Sequence, residues 1–251
     1  MKMEELFKER EYPFIFLAGV AMSIFTKSLR FVLPLALLIY VPVSLISCLI
    51  RPPVITFAEG TFNSAAYLKA AFPYLGLQLG LSTVFAPLAV AVAASVVRHV
   101  FAGEVLSRQK VADETFLRWG KIFLTAAACN IIFVASAALI FPAVYFFAAF
   151  AFCTVIIVVR EKWGISAVSY GIQLIRGRFF KTLWFLILIE ALRVLYSAFM
   201  GNITALFPDT YAVNVIITVI IQIFGLYFAF LYAVTFMNWD LCPRQKIESV
   251  E

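Results

Sequence analysis

The sequence predicts an all-α integral membrane protein with six transmembrane helices, and three observations carry that prediction. The 251-residue chain is 64% hydrophobic and 14% charged, far from the roughly 45–50% apolar and 25% charged of soluble domains. Its uncharged runs have membrane-crossing length and are separated by short charged segments, as about 20 apolar residues are needed to cross a bilayer core. Seventeen Lys and Arg fall on one set of alternating connections and two, Arg51 and Lys69, on the other, with Arg193 inside a run. By the positive-inside rule this asymmetry puts both termini in the cytoplasm. No stretch is polar enough to build a separate soluble domain, so residues 1–251 read as one polytopic membrane domain. The net charge of +6 is accounted for by orientation, and no nucleic-acid partner is expected.

The first eleven residues mix Glu4, Glu5, Glu9 and Glu11 with Lys2, Lys8 and Arg10, unlike a cleavable signal. Residues 14–25 are too short to span and read as an interfacial helix. Gly19, Ser23, Lys27 and Arg30 form its polar line, and Leu17, Ala21, Ile24 and Phe25 are expected to face acyl chains. Span one is residues 31–50, with Pro34 and Pro42 inside it; Ser44 is a candidate partner for a carbonyl freed by proline. Residues 52–70 read as the longest loop. Span two is 71–97, and its Gly76-x-x-x-Gly80 favours close helix packing inside the bundle over dimerisation.

Between Lys121 and Arg160 the chain is uncharged, enough for a tight hairpin of two spans, 122–140 and 143–159, with Phe141-Pro142 as the turn. The alanines of the first arm, among them Ala126, Ala127, Ala128, Ala135, Ala137 and Ala138, favour close packing. Spans five and six are 182–206 and 213–238, joined by a turn at Pro208-Asp209. Trp119, Trp163, Trp184 and Trp239 all fall near the basic side. A charged segment with a basic and aromatic restart precedes spans one, three and five, so three helix-plus-hairpin units are expected, each with a cytoplasmic interfacial helix. Lys27, Arg30, Arg118, Lys121, Arg176, Arg178 and Lys181 are the candidate contacts to anionic lipid headgroups.

Glu190 and Arg193 are the only charges deep in an apolar run. At 1.5 Å per residue from Lys181 they lie about 13 and 18 Å into the core. Their i, i+3 spacing lets them pair, and a pair at that depth is expected to face the bundle interior or water. It serves either a polar cavity or groove, or a structural grip on Asn130, Asn202 or Gln222 of neighbouring spans. His99 has no nucleophile motif around it and reads as an interfacial residue. Cys48, Cys129, Cys153 and Cys242 show no C-x-x-C spacing and read as packing residues. No catalytic, cofactor or metal residues are assigned.

Phe141-Pro142-x-x-Tyr145, Ile157-Val158-Val159 before Glu161-x-x-Gly164, Ala167, and Leu174-x-x-Gly177-x-Phe179-Phe180 resemble the pattern of the membrane domain of glycerophosphoryl diester phosphodiesterases and of YciC-like bacterial inner-membrane proteins. Gly171 departs from it, standing where those families usually have Ser. The resemblance implies a six-span bundle of the bacterial inner membrane without chemistry of its own. The phosphodiesterase barrel has no counterpart in this sequence, so no enzyme activity is expected. The function implied is a non-catalytic role in envelope or lipid homeostasis or in assisting membrane-protein partners. A transporter or lipid-translocating protein using Glu190 and Arg193, and an insertase-like chaperone, are the alternatives.

Overall fold

The computed structural model describes residues 3–49, 64–136, 139–208 and 210–242, and among them the chain is helical with no strand. The elements are α1 (Met3–Glu9), α2 (Phe14–Leu49), α3 (Ser64–Ala102), α4 (Arg108–Phe116), α5 (Trp119–Ser136), α6 (Ile140–Phe150), α7 (Cys153–Arg160), α8 (Ile165–Ile175), α9 (Phe179–Thr204) and α10 (Tyr211–Leu241). Six stretches are long and apolar enough to cross a membrane: α2, residues 71–102 of α3, α5, residues 142–160 across α6 and α7, α9 and α10.

An apolar helix buried all round belongs at the centre of a bundle, and α10 takes that position. From Phe228 to Trp239 every residue except Tyr232 is buried. α2 runs antiparallel beside it. The Tyr12 amide donates to Asn238 Oδ1 at 2.9 Å at one end, and Tyr211 donates to the Leu45 carbonyl at 3.0 Å at the other. Between them Phe25 packs edge-on against Phe230 at 5.6 Å. Ala91 to Val97 of α3 and Val155 to Val158 of α7 are also buried. The densest packing therefore lies at the end of the bundle that carries α1, α4 and α8, termed the basic end below.

Several expectations are corrected here. Residues 14–25 and span one are a single helix, α2, because nothing between Thr26 and Phe31 breaks a helix: there is no Gly or Pro there, and Lys27 and Arg30 are good helix formers. Leu17, Ala21, Ile24 and Phe25 face α10 and α3 in the protein core, at 0–4% exposure, rather than acyl chains; the polar line itself is exposed as expected. α1 is an additional short helix, tucked in by Phe7, which packs on Phe101 at 4.8 Å. Helix α3 begins at Ser64, inside the expected loop, while residues 50–63 lie outside the described residues. Gly76 and Gly80 are exposed, and among the described residues nothing lies within 4 Å of where their Cβ atoms would stand. The spacing sets them on one face, but that face is not turned inward.

The hairpin turns earlier than Phe141-Pro142. α5 ends at Ser136, and Pro142 sits in the first turn of α6, where its missing N–H costs no helical hydrogen bond. Ala137 and Ala138 lie outside the described residues. The α5 positions that pack inward are Ile122, Thr125, Cys129 and Ser136, not the alanines. Asp209 of the last turn is likewise outside the described residues. Ser44 donates to Gln222 Oε1 at 3.2 Å instead of to a proline-freed carbonyl. Trp239 is buried at 2% exposure, its ring against Phe152 and Phe185, unlike Trp119, Trp163 and Trp184, which are exposed.

The second hairpin arm breaks at Ala151 and Phe152. α8 crosses this arm so closely that a Cβ added at Gly171 would stand 2.4 Å from the Ala149 carbonyl oxygen. Only a residue without a side chain fits against that backbone, which gives the departure at Gly171 a local reason. Gly171→Ala is expected to force the two helices apart and to cost about 1–3 kcal/mol, the usual range for overpacking. Thermal unfolding in detergent checks this, and a variant as stable as the parent would refute it.

Candidate functional site

α9 is the outlying helix of the six. Its inward stripe runs Thr182, Phe185 with its neighbour Leu186, Ile189, Arg193, Tyr196 and Met200, at steps of three and four residues apart from that adjacent pair, a spacing that keeps one face. The first four are buried. At Arg193 the stripe emerges: that side chain is 59% exposed, and residues 191–195 are exposed all round. The bundle thus closes on α9 near the basic end and leaves it open over residues 191–195, before Tyr196 rejoins α10 by donating to the Ile221 carbonyl at 2.6 Å. Residues 130–135 of α5 are exposed as well, so the half of the bundle away from the basic end is splayed.

Glu190 stands where the stripe begins to open. One carboxylate oxygen pairs with Arg193 Nη2 at 2.6 Å, and the other accepts from the Tyr232 hydroxyl of α10 at 2.6 Å. The expected i, i+3 pair is present, and the third member, Tyr232, is one that sequence reasoning missed. Counted inward from the charged ends, Glu190 lies nine residues from Lys181 and Tyr232 eight residues from Asp240, both about 12–14 Å deep. That match in depth was the available signal. The pair does not face a closed interior: Glu190 is 29% and Arg193 59% exposed.

The other polar candidates do not join this site. Asn130 is exposed on α5 and reaches Thr83 at 3.4 Å. Asn202 donates to the Ala198 carbonyl of its own helix at 3.0 Å. Gln222 is taken by Ser44.

The seven basic candidates divide. Arg118 donates to the Ile157 and Val158 carbonyls at 3.3 and 3.1 Å, and Arg98 to Val158 at 3.1 Å. These are last-turn carbonyls of α7, which have no partner inside their helix and lie at the negative end of its dipole. Arg118 is thus an internal clamp, completed by Glu161 at 2.8 Å. Arg178 donates to the Trp239 carbonyl at 3.2 Å and pairs with Glu11 at 3.0 Å, and Lys181 also pairs with Glu11. Lys121 lies over the Trp163 ring and Arg30 over Phe31. Lys27 and Arg176 are exposed. His99, read as interfacial, is 3% exposed; its Nδ1 meets the Ser95 carbonyl at 2.8 Å and its Nε2 lies 3.5 and 3.7 Å from Glu104 and Glu114.

Asp240, with a 1% exposed side chain, accepts from both Nε and Nη2 of Arg160 at 2.8 and 2.6 Å and from Tyr170. Burial first, then the Asp240 carboxylate, pushes the Tyr170 phenol up to about 12, so it stays a donor. This fastens α8 and α7 to the end of α10. Cys129 and Cys153 sit in contact, sulfur to sulfur 3.9 Å, as buried free thiols.

No family model, curated protein or solved structure matches this chain.

The Glu161 clamp has a pH signature. Hydrogen bonding and charge from Arg118 hold its carboxyl below the usual range. A carboxyl lowered by folding contributes stability that is complete above its unfolded value, about 4.3, and is lost as pH falls through the lowered folded value. Acidification through this window is expected to lower the melting temperature of the parent more than that of Glu161→Gln; equal slopes would show that the clamp carries no stability.

Proposed function

We propose that this chain is a non-catalytic six-span protein of the bacterial cytoplasmic membrane, with both termini in the cytoplasm, that assists other membrane proteins within the bilayer. One observation carries the reading: Arg193, paired to Glu190, opens sideways where α9 parts from the bundle. At mid-membrane an uncompensated arginine costs on the order of 2.5–3.5 kcal/mol, and an ion pair with one half-open side still presents unused donors to its surroundings. A partner helix bringing an amide, hydroxyl or carboxylate to that depth would take up those donors, and intramembrane hydrogen bonds of this kind hold helices together. An insertase-like chaperone, which receives polar residues of a client in a lateral groove, is the form of this role that best uses an open arginine.

Envelope or lipid homeostasis is the setting, and the likeness to the membrane domain of glycerophosphoryl diester phosphodiesterases and YciC-like proteins supports it. The exposed Lys27 and Arg176 and the half-exposed Lys181 are the basic side chains free enough to meet anionic headgroups on the cytoplasmic face. α4 and α8, each preceding a hairpin, lie at that face as interfacial helices. Lipid translocation is the second reading, favoured by the same sideways opening, which a headgroup could follow without crossing a closed pore.

Affinity capture of the full chain in mild detergent distinguishes these readings. Arg193→Gln and Glu190→Gln are expected to reduce co-purified membrane protein by about tenfold, corresponding to ~1.4 kcal/mol, at unchanged abundance of the chain. Reduced abundance without selective loss of a partner would make the pair structural. Movement of labelled phospholipid by the reconstituted protein, abolished by Arg193→Gln, would favour translocation instead.

A further inference from the structure

A second feature of α9 lies at the basic end, away from Arg193, and does not depend on the reading of that pair. Between the first turn of α2 and the first turns of α9 is a wide-open surface cleft of about 720 Å³. Phe14 and Ile15 form one wall and Trp184 and Leu188 the other. Ile15 is 85% and Trp184 60% exposed, so both walls are open to acyl chains.

The rim has a definite charge. Glu11 and Lys181 are at its mouth, and Arg178 stands behind Glu11 as its second partner. Among the described residues two cations share one carboxylate, leaving one positive charge in excess. Lys181 keeps 44% of its side-chain surface open while it holds Glu11, and an ammonium has three N–H donors. Glu11 therefore places the lysine at the rim without using it up. An apolar slot under a rim of net charge +1 matches a molecule with a hydrocarbon tail and a single phosphodiester. A free phosphate would leave the walls unused, and a neutral apolar chain would leave the rim unused.

We propose that this cleft is a binding site for an anionic phospholipid, its phosphodiester on Lys181 and one acyl chain between α2 and α9 along Ile15, Trp184 and Leu188. The site couples the start of α2 to the start of α9, which among the described residues are otherwise joined at this level by the Glu11 pairs and by Phe14 edge-on to Phe185 at 5.6 Å.

The test uses the full chain in phosphatidylcholine vesicles doped with phosphatidylglycerol carrying a photoreactive group on one acyl chain. Crosslinks are expected at residues 14–15 and 184–188, above the level on the exposed residues 131–134 of α5. Lys181→Gln should lower the cleft label about threefold to fivefold, the size of a half-exposed charge contact, while Lys181→Arg retains it. Leu188→Trp should fill the cleft and remove the label; if that variant does not fold, the Lys181 pair of variants decides. Label no denser than on α5, equal labelling by a photoreactive phosphatidylcholine, indifference to Lys181→Gln, or crosslinks from the cleft to a second polypeptide would each overturn the proposal.

Discussion

The half of α10 from Phe228 to Trp239 is the constraint on which everything else rests. A helix apolar on every side must be covered on every side, and α2, α3, α9, α1 and the Phe152 ring between α6 and α7 each supply part of that cover. Its end is tied as firmly as its length. Asp240 holds Arg160 and Tyr170, the Asn238 side chain takes the Tyr12 amide, and the Trp239 carbonyl takes Arg178. The Asp240 side chain is 1% exposed and Arg160 41%, so removing Arg160 would leave a buried carboxylate without its cation, and together these ties keep the basic end in one arrangement.

The opening at Arg193 follows from the same packing. α10 and α9 are held together up to the Tyr232–Glu190 hydrogen bond, while further out only Tyr196, donating to the Ile221 carbonyl at 2.6 Å, still links them within the stripe. The α5–α6 hairpin, which would have to cover α9 there, breaks at Ala151–Phe152 and is drawn under α8 by the contact at Gly171. A closed basic end and an open opposite half are two consequences of one arrangement. The cleft beside Lys181 and the opening at Arg193 then occupy opposite stretches of a single outlying helix.

Much of this was legible in the sequence, and the limits have physical causes. Charges located the starts of α5 and α9 and the ends of α7 and α10 within a few residues, because a charge inside an apolar helix is expensive and one at its end is not. The continuity of α2 was missed because Lys27 and Arg30 mark where polarity rises, and polarity does not interrupt helical hydrogen bonding. Gly76 and Gly80 show that spacing sets which residues share a face but not what the face meets. Arg118 and Arg178 counted as free cations because the carbonyls they cap belong to Ile157, Val158 and Trp239, and which helix end lacks acceptors' partners is a tertiary property. The i, i+3 pair was readable since both members sit on one helix. Tyr232 was not, as it comes from another helix 42 residues away.

α9 is sealed against the bundle up to Ile189 and opens over residues 191–195, beyond which Tyr196 still joins it to α10. Single cysteines at Leu186, Ile189, Arg193 and Met200 in a chain lacking its other cysteines, spin-labelled and reconstituted, test this most directly through collision with molecular oxygen, which enters lipid as well as water. The account predicts protection at 186 and 189, the fastest collision at 193 and an intermediate rate at 200. Uniform protection along the whole stripe would mean that the bundle closes over Arg193 and would contradict it.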